Sequence, residues 1–429
     1  MLPRLSCLVM SWPARLRKAA LAAWLFVLVP LQLAAAPFAP SNLPAENLTA
    51  SIVTFQPGTA YWQRFGHNAL LLREAATGTA ITFNYGIFDF GAPNFFANFA
   101  RGHMVYRVVP NHLQNDLVGY QAEGRWAVEQ RLNLDARQVG LLRDYLEWNV
   151  LPDNTNYRYD YFLSNCSTRV RDALDYAMGG QLKAQLQGRA TSATYRSEAT
   201  RLISPDALLM AAMDLALGPT ADQPIDLWQQ SFAPLVLMQA LRTSTVSDAG
   251  GRTLALVGHE VRLLNGSTAH DPPDRAPDLR LQFLMLGLLL AAILIGLSQV
   301  RALASARWAF MLIASTFVLL CGAGGAILAA LWGFTEHWAG WRNESLLLIN
   351  PLCLLLLPAL LMYPRLRWRP ALFTRRVALV IVIIALAAML LRELPGMTQS
   401  NLHWALLVLP VHAAIALIFA RAKRPDDEF

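Results

Sequence analysis

Five apolar blocks fill the last third of this 429-residue chain, at about residues 281–300, 308–332, 346–363, 377–391 and 402–420. A helix of roughly 20 apolar residues spans the hydrocarbon core of a bilayer. No Asp, Glu, Lys or Arg interrupts any block, and a charge at mid-membrane costs about 2.5–3.5 kcal/mol. The fourth block is the shortest, because Arg375 and Arg376 sit at its start, where long side chains snorkel. The sequence therefore predicts an all-α bundle of five transmembrane helices over 279–429.

The loops between the blocks give the orientation. Those after the first, third and fifth carry Arg301 and Arg307, then five arginines between 365 and 376, then Arg421, Lys423 and Arg424. The two remaining loops carry only Arg342 and Arg392, each beside acidic residues. Cytoplasmic loops are the Lys/Arg-rich ones, so the C-terminus is expected in the cytoplasm and residues 40–278 outside it. The net charge of +7 follows largely from this asymmetry, and nucleic-acid binding is not read from it. Residues 1–36 agree. Arg4, Arg15, Arg17 and Lys18 precede an apolar run that ends in LQLAAAP, the layout of a signal peptide or N-terminal anchor. Pro37 is awkward directly after the best Ala-x-Ala site. Cleavage after Ala34 or Ala35 and an uncleaved anchor would each export residues 40–278.

Cysteine usage then becomes informative. Cys7 lies in the signal region, Cys321 and Cys353 lie in the spans, and the exported segment holds Cys166 alone. Exported cysteines usually pair as disulfides, so an odd one is flagged as a reactive thiol. Its neighbourhood, YDYFLSNCSTRVRDAL, reads as a helix start. Ser164 or Asn165 can cap it, and Cys166, Val170, Ala173, Leu174 and Ala177 share one face, with Arg169, Arg171 and Asp172 elsewhere. A first-turn thiol is acidified by orphan amides and the helix dipole. The plainer alternative is a buried, inert cysteine.

The rest of the exported segment reads as α+β. IVTFQPG, RGHMVYRVVP and RWAVEQRLNL look like strands, and NALLLREAATGTAITFNYG reads as a hairpin with its turn at ATGT. DARQVGLLRDYLEWNVL has helical spacing with Asp135 as cap. PDALLMAAMDLAL and LWQQSFAPLVLMQAL read as helices. TLALVGHEVRLL reads as a strand pair, and STAHDPPDRAPD as the linker to the membrane.

Candidate bases for the thiol are His67, His103, His112, His259 and His270. His67, in QRFGHNALLL, stands on a core-facing strand face where a polar ring needs a partner. Its plainer reading is a core histidine bonded to a carbonyl. His103, in RGHMVY, is a weaker case. His112 and His270 read as loop residues and His259 as a surface residue. No HExxH, paired cysteines or ligand-spaced cluster occurs, so no metal or other cofactor is expected.

FGHNALLL, FNYGIFDFGAPNFFANFARGHMVYRV and YRYDYFLSNCSTRVRD together resemble the motifs of the Lnb N-terminal periplasmic domain family, over roughly residues 45–200. The resemblance implies a permuted papain-like (NlpC/P60-type) fold, antiparallel sheet plus helices, whose His-bearing strand precedes its Cys-bearing helix. It assigns Cys166 as nucleophile and His67 as base. Asn84, hairpinned to the His67 strand, is the first choice for the group that orients the imidazole, and His103 the second. Tyr85, Asp89, Asn165, Arg169 and Asp172 also sit on motif positions, as candidate substrate-binding residues. Their plainer reading is structural, with Asn165 as a cap and Arg169 paired to Asp172; beside the thiolate, Arg169 could instead hold a phosphate or support an oxyanion.

The activity the resemblance implies is lipoprotein N-acyltransfer at the bacterial inner membrane, with a phospholipid as acyl donor and a diacylated lipoprotein as acceptor. Two rivals use the same residues: a cell-wall amidase or peptidase, and a non-catalytic membrane sensor or scaffold. The first gives no reason for five spans. Under the second, Cys166 would react no faster than a free thiol. The outer loop GFTEHWAGWRNES carries Trp332, Trp338 and Trp341 as an aromatic belt. Glu336, His337 and Glu344 there are candidates to guide a headgroup or amine.

Overall fold

The computed structural model describes residues 44–392 and 396–422. The expected signal peptide or anchor over 1–36, Cys7, Lys423 and Arg424 lie outside these residues.

The strand β1 (Leu48–Phe55) is buried along almost its whole length, so both of its faces must be covered. It pairs with β2 (His67–Glu74), which hairpins onto β3 (Ala80–Ile87). β4 (Val105–His112), β5 (Ala127–Leu132) and β6 (Asn156–Arg158) extend the sheet. Two small ladders lie outside it: β7 (Ala190–Thr194) with β8 (Pro224–Asp226), and β9 (Thr245–Ser247) with β10 (Thr253–Ala255). With β11 (Val257–Leu264), the main sheet runs β11-β5-β1-β2-β3-β4-β6, every ladder antiparallel.

Helices close both faces. α1 (Phe95–Arg101) stands beside the sheet, and α2 (Leu113–Ala122) packs Leu113, Leu117 and Tyr120 against Val53, Phe55, Ala69 and Leu71. On the other side lie α3 (Ala136–Val150), capped by Asp135 through a reciprocal bond with Gln138, and α4 (Cys166–Ala177). Val170, Ala173 and Leu174 of α4 are fully buried. Fully burying such side chains contributes about 1.5–3 kcal/mol each for the larger ones.

Two element readings need correction. TLALVGHEVRLL is not a hairpin: β10 pairs with β9 and β11 with β5. A single residue, the buried Leu256, separates them, and one residue cannot reverse the chain, so the backbone passes from one sheet to the other. LWQQSFAPLVLMQAL is two helices, Leu227–Gln230 and Pro234–Arg242, because proline restarts a helix at its first position.

Five candidate spans follow, Arg280–Gln299, Ala304–Phe334, Glu344–Leu361, Leu372–Leu390 and Leu402–Arg421. The third is irregular. It runs through two 3-10 segments before the short helix Leu357–Leu361, with Asn350 and Pro351 at the break. Proline removes a helix donor, a change that hydropathy does not register.

The sheet domain docks on the loops after the second and fourth spans, the two poor in arginine. The Asn343 amide donates to the Leu215 carbonyl at 2.7 Å, and Gln399 to that of Leu217 at 3.0 Å. Asp214 accepts from Trp404 at 2.7 Å and lies 2.6 Å from the His403 ring. The arginine-rich loops meet at the opposite end, where Arg301 and Arg307 bond carbonyls of residues 364–368.

Candidate active site

Two glycines let the backbone assemble the site. Gly66 (φ +81°) turns the chain into β2, and a Cβ there would stand 3.0 Å from the Phe55 carbonyl. Gly86 (φ +88°) bends the end of β3 against Cys166, whose Cβ would lie 3.6 Å from any added methyl. Left-handed φ values of this kind are comfortable only for glycine.

Cys166 is the first residue of α4. The Asn165 side chain accepts from the Thr168 N–H at 2.9 Å, and Thr168 Oγ1 accepts from the Asn165 N–H at 2.7 Å. Asn165 also donates to the Tyr161 and Phe232 carbonyls, each at 2.9 Å. The start of the helix is thus fixed from both sides, and Asn165 acts structurally.

The His67 ring hydrogen-bonds the Cys166 thiol, and the backbone N–H groups of Asn68 and Ser167 donate to the same sulfur. On its other side, His67 Nε2 lies 2.9 Å from Asn84 Oδ1. The Asn84 amide donates to Asp116 Oδ2 at 3.0 Å and to Thr82 Oγ1 at 3.2 Å. Asp116 also accepts from Asn111 at 2.6 Å and Thr82 at 2.5 Å.

This chain decides the tautomer. An ionised carboxylate only accepts, so it holds the Asn84 NH₂ toward Asp116 and the Asn84 oxygen toward the ring. Nε2 must then carry a hydrogen, which leaves Nδ1 to exchange a proton with the thiol. Burial opposes charge on both partners, but each charge stabilises the other. The imidazolium and the two backbone amides hold the Cys166 thiol below its ordinary value. The thiolate and the Asn84 bond hold His67 above its own. Both shifts run in the direction that favours a thiolate–imidazolium pair, and Cys166 is only half-buried.

Other candidates sit elsewhere or act otherwise. His103 lies 2.6 Å from Glu336 in the outer loop, so it does not orient His67; that contact belongs to Asn84. His112 and His259 are exposed on strands. Asp89 is exposed and caps the Gly91 N–H at 2.8 Å. Asp172 bonds Arg171 at 2.7 and 2.9 Å, not Arg169. Arg171 is itself buried, its guanidinium over the Trp228 ring at 3.8 Å. Arg169 lies over the Tyr157 ring at 4.3 Å, and Tyr85 is buried with its ring 6.0 Å from that of Tyr157.

In the outer loop, Glu336 binds His103 and Arg158, the His337 ring meets the Phe99 carbonyl at 2.9 Å, and Glu344 accepts from the Thr398 and Gln399 N–H groups. Glu336 and His337 thus join the two parts of the molecule, while Glu344 ties two outer loops of the bundle together. Asp116 was not among the sequence candidates. It sits in a polar helix with no motif around it, and only its position under β3 reveals it.

Residues 36–201 match the family model of the Lnb N-terminal periplasmic domain. That identifies this part of the chain as an Lnb periplasmic domain, and five candidate spans follow it. No curated protein and no solved structure matches the chain. The strand order agrees with the fold expected for an Lnb domain, since the His67 strand precedes the Cys166 helix. The protein is therefore a multi-pass membrane protein with its Lnb domain on the periplasmic side.

Proposed function

We propose that this Lnb-domain protein is a thiol acyltransferase of the bacterial inner membrane. It moves an acyl chain from a phospholipid, through a thioester on Cys166, to the N-terminal amine of a diacylated lipoprotein. The Cys166 thiolate attacks the ester carbonyl carbon. The tetrahedral intermediate collapses as the C–O bond breaks, and the departing lysophospholipid oxygen takes the proton held on His67 Nδ1. The lipoprotein amine then attacks the thioester, gives a proton to His67, and the C–S bond breaks to restore the thiolate. Such two-step transfer is ping-pong chemistry. The Asn68 and Ser167 amides, which bond the sulfur, are the donors assigned here to the developing oxyanion.

One observation supports this reading over soluble hydrolysis. The loop leading into Cys166 is fastened to the loop between the second and third spans, the Trp338 ring N–H donating to Asp160 at 2.6 Å. Trp338 packs into the cluster of Phe162, Tyr195 and Phe232. A thiol held beside the bilayer meets acyl chains without drawing them into water, which costs about 0.8 kcal/mol per CH₂. A cell-wall hydrolase has no use for that attachment.

Intact-mass analysis tests the proposal. Incubation with phospholipid vesicles and no acceptor should add one acyl mass, removable by hydroxylamine and absent from Cys166→Ala. A diacylated peptide should discharge it. Absence of any adduct, with release of wall peptide fragments instead, would overturn the transfer reading.

A further inference from the structure

The segment between β3 and β4 presents more aromatic surface than the site needs. Phe88, Phe90, Phe95 and Phe96 form one cluster with Trp62, with successive ring centroids 5.0–6.2 Å apart. Yet Phe96 is 69% exposed, Trp62 54% and Phe90 51%. A contiguous apolar patch of this kind marks an interaction surface.

Its height relative to the bilayer can be read from the chain. The second span ends at Phe334, itself 84% exposed. Its 31 residues rise about 46 Å, close to the ~40–45 Å of hydrocarbon core plus headgroup layers. Two residues later, the Glu336 N–H donates to the Arg101 carbonyl at 2.8 Å, at the end of α1. The Phe99 and His337 rings meet at 6.3 Å. The α1 end of the segment is thus bonded to the loop just past the second span, where a helix of that length reaches the headgroup layer. Amphipathic aromatic surfaces settle at that level.

The cluster also leads inward. Phe88 touches Tyr106 at 5.1 Å and Tyr106 touches Tyr159 at 4.3 Å. A methyl on Gly86 would lie 3.7 Å from Tyr159 and 3.6 Å from Cys166. We infer that the 88–99 segment is a lip inserted into the outer leaflet, and that its aromatic path guides a single lipid acyl chain toward Cys166. The insertion stands on its own; the guiding role rests on the acyl-transfer reading.

The test uses the full chain in phosphatidylcholine vesicles, with Cys166→Ser and the other native cysteines, Cys7, Cys321 and Cys353, replaced by alanine, and with bimane attached through Phe96→Cys or, separately, Phe90→Cys. A control probe is attached through Tyr176→Cys, at the far end of α4. Lipids spin-labelled near the headgroup should quench the first two probes at least threefold more than the control, and iodide should quench them less. Equal iodide quenching at all three positions, with no lipid quenching, would overturn the lip. In a second arm, Phe90→Ser with Phe96→Ser should slow Cys166 acylation from vesicle lipid at least tenfold. An unchanged acylation rate would overturn the guiding role. Failure of the unaltered protein to acylate would count against the transfer reading and leave the quenching result standing.

Discussion

The chain sets histidine against acid in two regions, and the two are built for different ends. At the thiol site, His67 never touches a carboxylate: the neutral Asn84 amide stands between its ring and Asp116. At the seam, histidine and acid meet directly, His103 with Glu336 in solvent and His403 with Asp214 under cover. At His67 burial opposes charge on the ring, while the thiol, the Asn84 bond and, at longer range, Asp116 favour it. The first arrangement sets a ring against a thiol, and the second joins the two parts of the molecule.

The comparison can be broken by substitution. His67→Ala should cost most, lowering Cys166 acylation roughly 10²- to 10⁴-fold, the range for a removed acid–base group; a loss under tenfold would deny His67 the role. Asp214→Ala strikes the covered part of the seam. Asp214 is buried between Arg196, His403 and Trp404, and breaking a buried pair costs about 3–5 kcal/mol. Thermal unfolding in detergent should show a large drop with the thiol chemistry retained in whatever remains folded. Burial acts to raise the Asp214 pKa, but its partners more than compensate and hold it below the ordinary value. Its stabilisation is therefore complete above the usual carboxylate range and fades as pH falls through the lowered value.

Smaller effects sharpen the contrast. Asn84→Ala removes the amide that fixes the ring, and should lower kcat roughly 10- to 100-fold with little change in KM. An equal effect on KM would point to a binding role instead. Glu336→Gln should matter least, because its partners His103 and Arg158 are half or more exposed and exposed pairs contribute little. The thermal midpoint and the acylation rate should both stay close to those of the unaltered protein.

Local rules made much of this legible in the sequence. Asp135 and Asn165 announce their helices, the ATGT turn announces the β2–β3 hairpin, and loop arginines orient the spans. A thiol at a helix start and a ring in a core-facing run each ask for an explanation in the sequence, and the structure sets Cys166 and His67 side by side, with Asn84 behind the ring. What stayed hidden depends on contacts distant in sequence. Asp116 gains meaning only when α2 packs under β3. Glu336 and His337 look like free polar groups until the Lnb domain docks on them. The irregular third span hides behind uniform hydropathy, since Asn350 and Pro351 alter hydrogen bonding and barely alter apolarity.

In the proposed mechanism His67 keeps the Cys166 sulfur ionised, and the pH dependence of the thiol's alkylation reads this out. Peptide-resolved iodoacetamide labelling of the reconstituted protein should titrate well below the ordinary thiol value of about 8.5. In His67→Ala the midpoint should rise markedly, since only the Asn68 and Ser167 amides then oppose burial. A midpoint at the ordinary value in both proteins would show that His67 does not ionise the thiol.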